Sequence, residues 1–276
     1  MTRKNTIQSA NITGKHGVSL IGEEKFRELY AALLQCRILD ELLQADTRHR
    51  QWTGREASTA GVAACLRSGD SITPTPNGLL ASYLQNGALA SSSRTNPNPV
   101  EQLSAAVHEA GRLKLEQHGR IVVAFARRGS SEQMRRFFAT AVKDSLPLLY
   151  IFEESPTLAK ACGSIPIIRV DACDAVAAYR VAHESIARAR DGGGPTIIEC
   201  IDWQRGTELQ DPLCKFELYL AGKNIFRESW KRRLEKKYRA RIGNAVQAFA
   251  LAESTPTEHA GAQAEAMYTP RRNAVA

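Results

Sequence analysis

The sequence predicts an α/β fold, a mostly parallel sheet with helices on both faces, and two observations carry that expectation. Between residues 121 and 201, short apolar runs alternate with stretches of helical periodicity. This is the order of strand, helix, strand units whose strands lie parallel. The runs Ile121 to Ala126 and Leu146 to Phe152 are apolar without interruption, which suits strands buried on both faces and not strands with one wet side.

The elements follow in chain order. The first 22 residues mix Asn, Thr, Lys and Gly without periodicity, and the last 23, from Ser254, are rich in Ala, Thr, Glu and Pro; both read as flexible tails around one domain over residues 23–253. From Glu24, the residues Phe26, Leu29, Tyr30, Leu33, Leu34, Ile38, Leu42 and Leu43 recur at spacings of three and four, the signature of a long core-facing helix. A second helix is expected from Arg55 to Leu66, stopped at Ser68-Gly69-Asp70 by glycine, with a short strand near Ile72. Ser91 to Pro99, with three serines, two asparagines and two prolines, reads as a loop before a helix over Val100 to Gln117. The strands Ile121 to Ala126, Leu146 to Phe152, Ile165 to Val170 and Thr196 to Ile201 then enclose helices Ser131 to Asp144 and Ala175 to Arg190. In such sheets ligands bind beyond the carboxyl ends of the strands.

Composition excludes several classes. With 43% apolar and 24% charged residues among 276, the chain can form a substantial core. Its apolar runs fall far short of the roughly 20 residues that cross a bilayer, and Met1 to Gly17 lacks an apolar stretch of signal-peptide length, so a cytoplasmic location and no membrane contact are expected. The cysteines at 36, 65, 162, 173, 200 and 214 form no C-x-x-C pair, which points to neither a disulfide framework nor a zinc site. The net charge is +8, and much of it falls between Arg227 and Arg241, where Trp230, Leu234, Tyr238 and Ile242 recur every fourth residue. That is an amphipathic helix with a basic face. It is expected to pack its apolar stripe on the body and not to read nucleic acid.

Several segments resemble the alpha subunits of the thiamine-diphosphate-dependent 2-oxo acid dehydrogenases, the family of pyruvate, branched-chain and acetoin dehydrogenases. Leu29 to Leu34, running to Arg37 and Glu41, is similar to the family's first helix. Gly54-Arg55-Glu56-Ala57, then Gly61-Val62 and Leu66-Arg67-Ser68-Gly69-Asp70, resembles its G-Q-E-A, G-V and L-R-P-G-D signatures. Ile165 to Asp171, Asp174 to Tyr179 and Gly194 to Glu199 resemble its G-I-P-x-x-R-V-D-G-x-D, Y and G-P-T-L-I-E run, and Asp211-Pro212 with Phe216 to Leu220 its closing helix. The resemblance covers roughly residues 24 to 254. It implies the thiamine-diphosphate-binding fold, pairing with a beta-type subunit or self-association, and oxidative decarboxylation of a 2-oxo acid with thiamine diphosphate and magnesium.

The chain departs from that pattern where the family holds its metal. The resemblance places G-D-G after one strand and an asparagine pair after the next. Here the first strand runs into Arg127-Arg128-Gly129-Ser130-Ser131 and the second into Glu153-Glu154-Ser155-Pro156. A guanidinium donates hydrogen bonds and cannot ligate a metal. Where the family reads G-H-S, this chain has Gly206-Thr207-Glu208, and the loops over residues 87–102, 155–165 and 203–211 are short. No catalytic residue and no metal ligand set are therefore expected, and no cofactor. Arg127, Arg128, Gly129, Ser130 and Ser131, at a helix N-terminus, are the candidates for a diphosphate or other anion together with Glu154. Asp171, Asp174 and Glu199 are expected to serve turns, caps and hydrogen bonds. The leading reading is a degenerate, non-catalytic alpha-type subunit. The alternatives are an active subunit with an altered cofactor site and a basic-helix binding module.

Overall fold

In a computed structural model the protein is described over residues 21–44, 56–73, 75–89, 98–126, 131–153, 163–201 and 211–254. Five strands, β1 (Ser71–Ile72), β2 (Val122–Ala126), β3 (Leu148–Glu153), β4 (Ile167–Asp171) and β5 (Thr196–Ile201), form one sheet in the order β1-β2-β3-β5-β4. Every pairing is parallel, as the uninterrupted apolar runs predict.

Strand alternation sorts the core into two layers. Val122, Ala124 and Ala126 of β2, with Leu148, Tyr150 and Phe152 of β3, face α4 (Pro99–Glu116) and α5 (Ser131–Lys143). Val123, Phe125, Leu149 and Ile151 point the opposite way, toward α2 (Glu56–Ala63), α3 (Pro76–Asn86) and α6 (Ala175–Arg190). Beyond that second layer, α1 (Glu23–Gln44), α7 (Pro212–Gly222) and α8 (Glu228–Ser254) build a third cluster around Leu29, Tyr30, Leu33 and Phe216. The stripe predicted on the basic helix does what its period requires: Trp230, Leu234 and Tyr238 pack on this cluster and Ile242 is fully buried within it.

Four expectations need correction. The second helix ends at Ala63, ahead of the expected Leu66, and its backbone turns through Cys65 and Leu66. Gly69, at φ +90°, serves the turn into β1 and not the helix stop. The helix α3 went unforeseen, although Thr75 caps it by accepting from Gly78 N and Pro76 stands in its first turn, a legible start signal. Asn98 and Pro99 belong to α4, not to the loop before it, because Asn98 and Glu101 form a capping box. Finally, β4 is not apolar on two covered faces. It is the sheet's edge, with Ile167 and Ile168 half-buried and Arg169 exposed, and a charge in such a strand discourages pairing with another chain. Of the expected tails over residues 1–22 and 254–276, residues 1–20 and 255–276 lie outside the described residues, as do residues 91–97 of the expected loop, while Ser254 closes α8.

Gly61 sets the spacing of the second layer. A Cβ there would lie 2.7 Å from the Tyr179 amide nitrogen and 2.8 Å from the Ala178 Cβ, so α2 and α6 touch through their backbones. Gly61→Ala is expected to lower stability by about 1–3 kcal/mol, the usual scale of overpacking, despite alanine's higher helix propensity. A urea midpoint equal to wild type would show that the two helices separate freely.

Candidate functional site

The carboxyl ends of β2, β3 and β5 are Ala126, Glu153 and Ile201. Of the anion candidates drawn from the sequence, Arg127, Arg128, Gly129, Ser130 and Glu154 lie outside the described residues, and Ser131 is placed only as the first backbone position of α5. Among the described residues no group of three or more His, Cys, Asp or Glu side chains is placed to hold a metal ion.

The carboxylates that are described are engaged in anchoring. Asp174 caps α6 by accepting from the Val176 and Ala177 amides at 3.0 and 2.9 Å. Asp171, closing β4, accepts from the Cys173 amide at 2.9 Å and from Lys215 Nζ at 2.5 Å. Burial lowers the Lys215 ammonium's pKa, but the hydrogen bond and charge of Asp171 outweigh it and hold the group above its ordinary value. Glu199 is buried on β5 and accepts from Arg169 Nε at 2.7 Å, while its Oε1 has no hydrogen-bond partner among the described residues. These are the turn, cap and sheet roles expected of Asp171, Asp174 and Glu199.

The strongest polar constellation was not singled out in the sequence. Arg37, on α1, donates from Nε to Glu56 Oε1 at 2.6 Å and, two-pronged, from its terminal nitrogens to both oxygens of Asp211 at 2.9 and 3.0 Å. Glu56 is the first residue of α2, and Asp211 caps α7 through the Leu213 and Cys214 amides. Burial works to raise the Asp211 carboxyl, yet the Arg37 fork and its charge hold it below the ordinary carboxylate range. One signal could have found it. Arg37 falls between Cys36 and Ile38 on the buried stripe of α1, and a guanidinium there demands anionic partners.

His108, His118 and His183 are exposed, with His183 resting 5.8 Å from the Tyr179 ring. Cys36 and Cys200 are buried; burial alone pushes the Cys65 thiol up to about 12, the opposite of what a nucleophile needs. No helix of the described residues is long and apolar enough to cross a membrane.

A model of the dehydrogenase E1 component family matches residues 152–208. The alpha subunit of 3-methyl-2-oxobutanoate dehydrogenase from Mycobacterium tuberculosis is 26% identical over 281 residues, covering 79% of this chain and 76% of that protein. The alpha subunit of acetoin:2,6-dichlorophenolindophenol oxidoreductase from Bacillus subtilis is 25% identical over 243 residues, covering 69% of this chain and 73% of that protein. A shorter stretch of 51 residues, 18% of this chain and 14% of the relative, is 45% identical to the pyruvate dehydrogenase E1 component subunit alpha of Mycoplasma pneumoniae. Beside the parallel sheet, these likenesses make the chain similar to dehydrogenase alpha subunits along most of its length, with residues 152–208 matching the dehydrogenase E1 component family.

Proposed function

We propose that this protein is an alpha-type subunit of a 2-oxo acid or acetoin dehydrogenase assembly that keeps the scaffold and the contact with a beta-type subunit but does not hold thiamine diphosphate and magnesium. The relatives are named as subunits alpha of such dehydrogenases, which supports the assembly. One observation supports the loss of the cofactor site. The interior strand β2, paired with β3 through Ala126 and Phe152, is followed in sequence by Arg127-Arg128-Gly129, where the resemblance calls for a carboxylate. Magnesium takes oxygen ligands in a tight octahedron and shares them with phosphate oxygens and water. Two guanidinium groups supply none, and Glu154 and Ser155 after β3 offer only part of a ligand set. The donor chemistry does not fit the metal, and we derive no catalytic step through it.

Calorimetric titration of the purified chain, alone and co-expressed with a neighbouring beta-type subunit, tests the reading. Thiamine diphosphate with magnesium should bind weakly or not at all. Micromolar binding that requires magnesium would overturn the non-catalytic reading in favour of an active subunit. Tight binding without magnesium would instead mean that Arg127 and Arg128 neutralise the diphosphate themselves, and replacing both by alanine should then abolish it.

A further inference from the structure

Two features of the outer helical layer adjoin each other and reach the surface. The first is apolar. The inner side of α7 is buried through Leu213, Phe216 and Leu220, while Leu218 and Tyr219 on its outer side are 65% and 42% exposed, beside the exposed Ala221. A helix apolar nearly all round is normally covered all round. The second is basic. Between Arg227 and Arg241 there are eight Lys and Arg against Glu228 and Glu235, a net +6 of the chain's +8. Among the described residues, Lys231, Arg232 and Arg239 have ion-pair partners there, in Glu217, Glu228 and Glu41. Arg233 and Lys236 are exposed and have none among the described residues. The two features meet at the α7 to α8 junction, where Lys223 Nζ lies 5.1 Å from the centre of the Tyr219 ring and Lys231 of α8 pairs with Glu217 of α7 at 2.8 Å.

We infer that the outer surface of α7 and α8 is a docking site for a partner protein that presents an apolar centre flanked by acidic side chains. Three observations select this occupant. A second copy carries the same +8 charge and would bring one basic ridge against another, which costs free energy. Nucleic acid gains from exposed rings that stack on bases, but Trp230 and Tyr238, the aromatic residues of the basic segment, are turned into the core cluster. An apolar patch with charged surroundings is the anatomy of a protein interface, and the charge complementarity fixes the sign of the partner. The inference rests on the reading of this chain as one subunit of a heteromeric assembly, and it adds the surface and its chemistry.

The test uses the full-length chain and a fluorescent synthetic helical peptide with Leu and Phe on one face and Glu on the others. Fluorescence anisotropy should show salt-sensitive binding. The charge reversal Arg232→Glu/Arg233→Glu/Lys236→Glu and the apolar removal Leu218→Ser/Tyr219→Ser should each weaken it by about tenfold or more, the scale of a central interface contact. Arg232, Arg233, Lys236 and Leu218 are exposed, whereas the Tyr219 ring also touches Phe26 and Phe216; thermal melts check the folding of each variant, and Leu218→Ser alone should weaken binding in the same direction. A peptide with Gln for Glu should bind poorly. Binding unaffected by either set of substitutions, or absent in the wild type, overturns the inference. So does single-stranded RNA, or phosphatidylserine vesicles, binding more tightly than the peptide and insensitively to Leu218→Ser/Tyr219→Ser. A beta-type subunit that co-purifies equally with wild type and both variants would sink this surface while leaving the subunit reading in place. Peptide binding without any beta-type association would do the reverse.

Discussion

Asp70→Ala is expected to destabilise the fold by roughly 3–5 kcal/mol, the cost of breaking a buried ion pair from one side. Asp70 sits just before β1, with 1% of its side chain exposed, and its partner Arg190, at the end of α6, is 9% exposed. The carboxylate accepts from Arg190 at 2.6 Å, from the Arg67 amide at 2.7 Å and from the Ile121 amide at 3.1 Å. Arg190 also donates to the Gly119 carbonyl at 3.3 Å. One side chain thus joins the turn after α2, the approach to β2 and the end of α6, at the amino ends of the strands. Removing it leaves a guanidinium buried enough that desolvation already lowers its pKa. For a domain of this size the loss should appear as a fall in melting temperature of about 6–15 °C. Replacing both partners by apolar residues, as in Asp70→Leu/Arg190→Met, should recover part of it, because no charge is then stranded. A single variant within about 1 kcal/mol of wild type would show that water reaches the pair.

Local chemistry and long-range chemistry were unequally legible in the sequence. The parallel sheet could be read because strand burial leaves its mark within five or six consecutive residues, and the cap Asp174 because it acts on amides two and three positions ahead. The amphipathic stripe of α8 could be read for the same reason. The edge character of β4 could not, since Ile167-Ile168-Arg169-Val170 looks like any buried strand until the order β3-β5-β4 places it outermost. Nor could the Arg37 constellation be assembled, because its partners stand 19 and 174 positions away. The Asp70 pair spans 120 positions, and Lys215 reaches Asp171 across 44. A charged residue on an apolar stripe announces that it needs a partner but does not say which.

Arg37→Met is the complementary case, in which the cation of a shared network is removed and its apolar stem kept. Glu56, with 1% of its side chain exposed, would lose a 2.6 Å charge-assisted bond, and Asp211 would lose both prongs of its fork while continuing to cap α7. The loss is expected to be on the order of 3 kcal/mol at neutral pH, and its pH dependence distinguishes it from simple loss of packing. Asp211 has a depressed carboxyl in the folded protein. The stability it contributes is therefore present above the ordinary carboxylate pKa of about 3.9 and disappears as pH falls through the lower folded value. In Arg37→Met the fork is gone and burial works to raise the carboxyl against the Leu213 and Cys214 amides alone, so the fork's share of that contribution is missing at every pH. The gap between wild type and variant should accordingly be widest near neutrality and narrow below about pH 4, as protonation takes from the wild type what the variant never had. Urea denaturation at a series of pH values measures the gap directly. A gap of constant size from neutral to acid pH would mean that Arg37 acts through its packing alone, and that the ends of α2 and α7 are held together by something other than its charge.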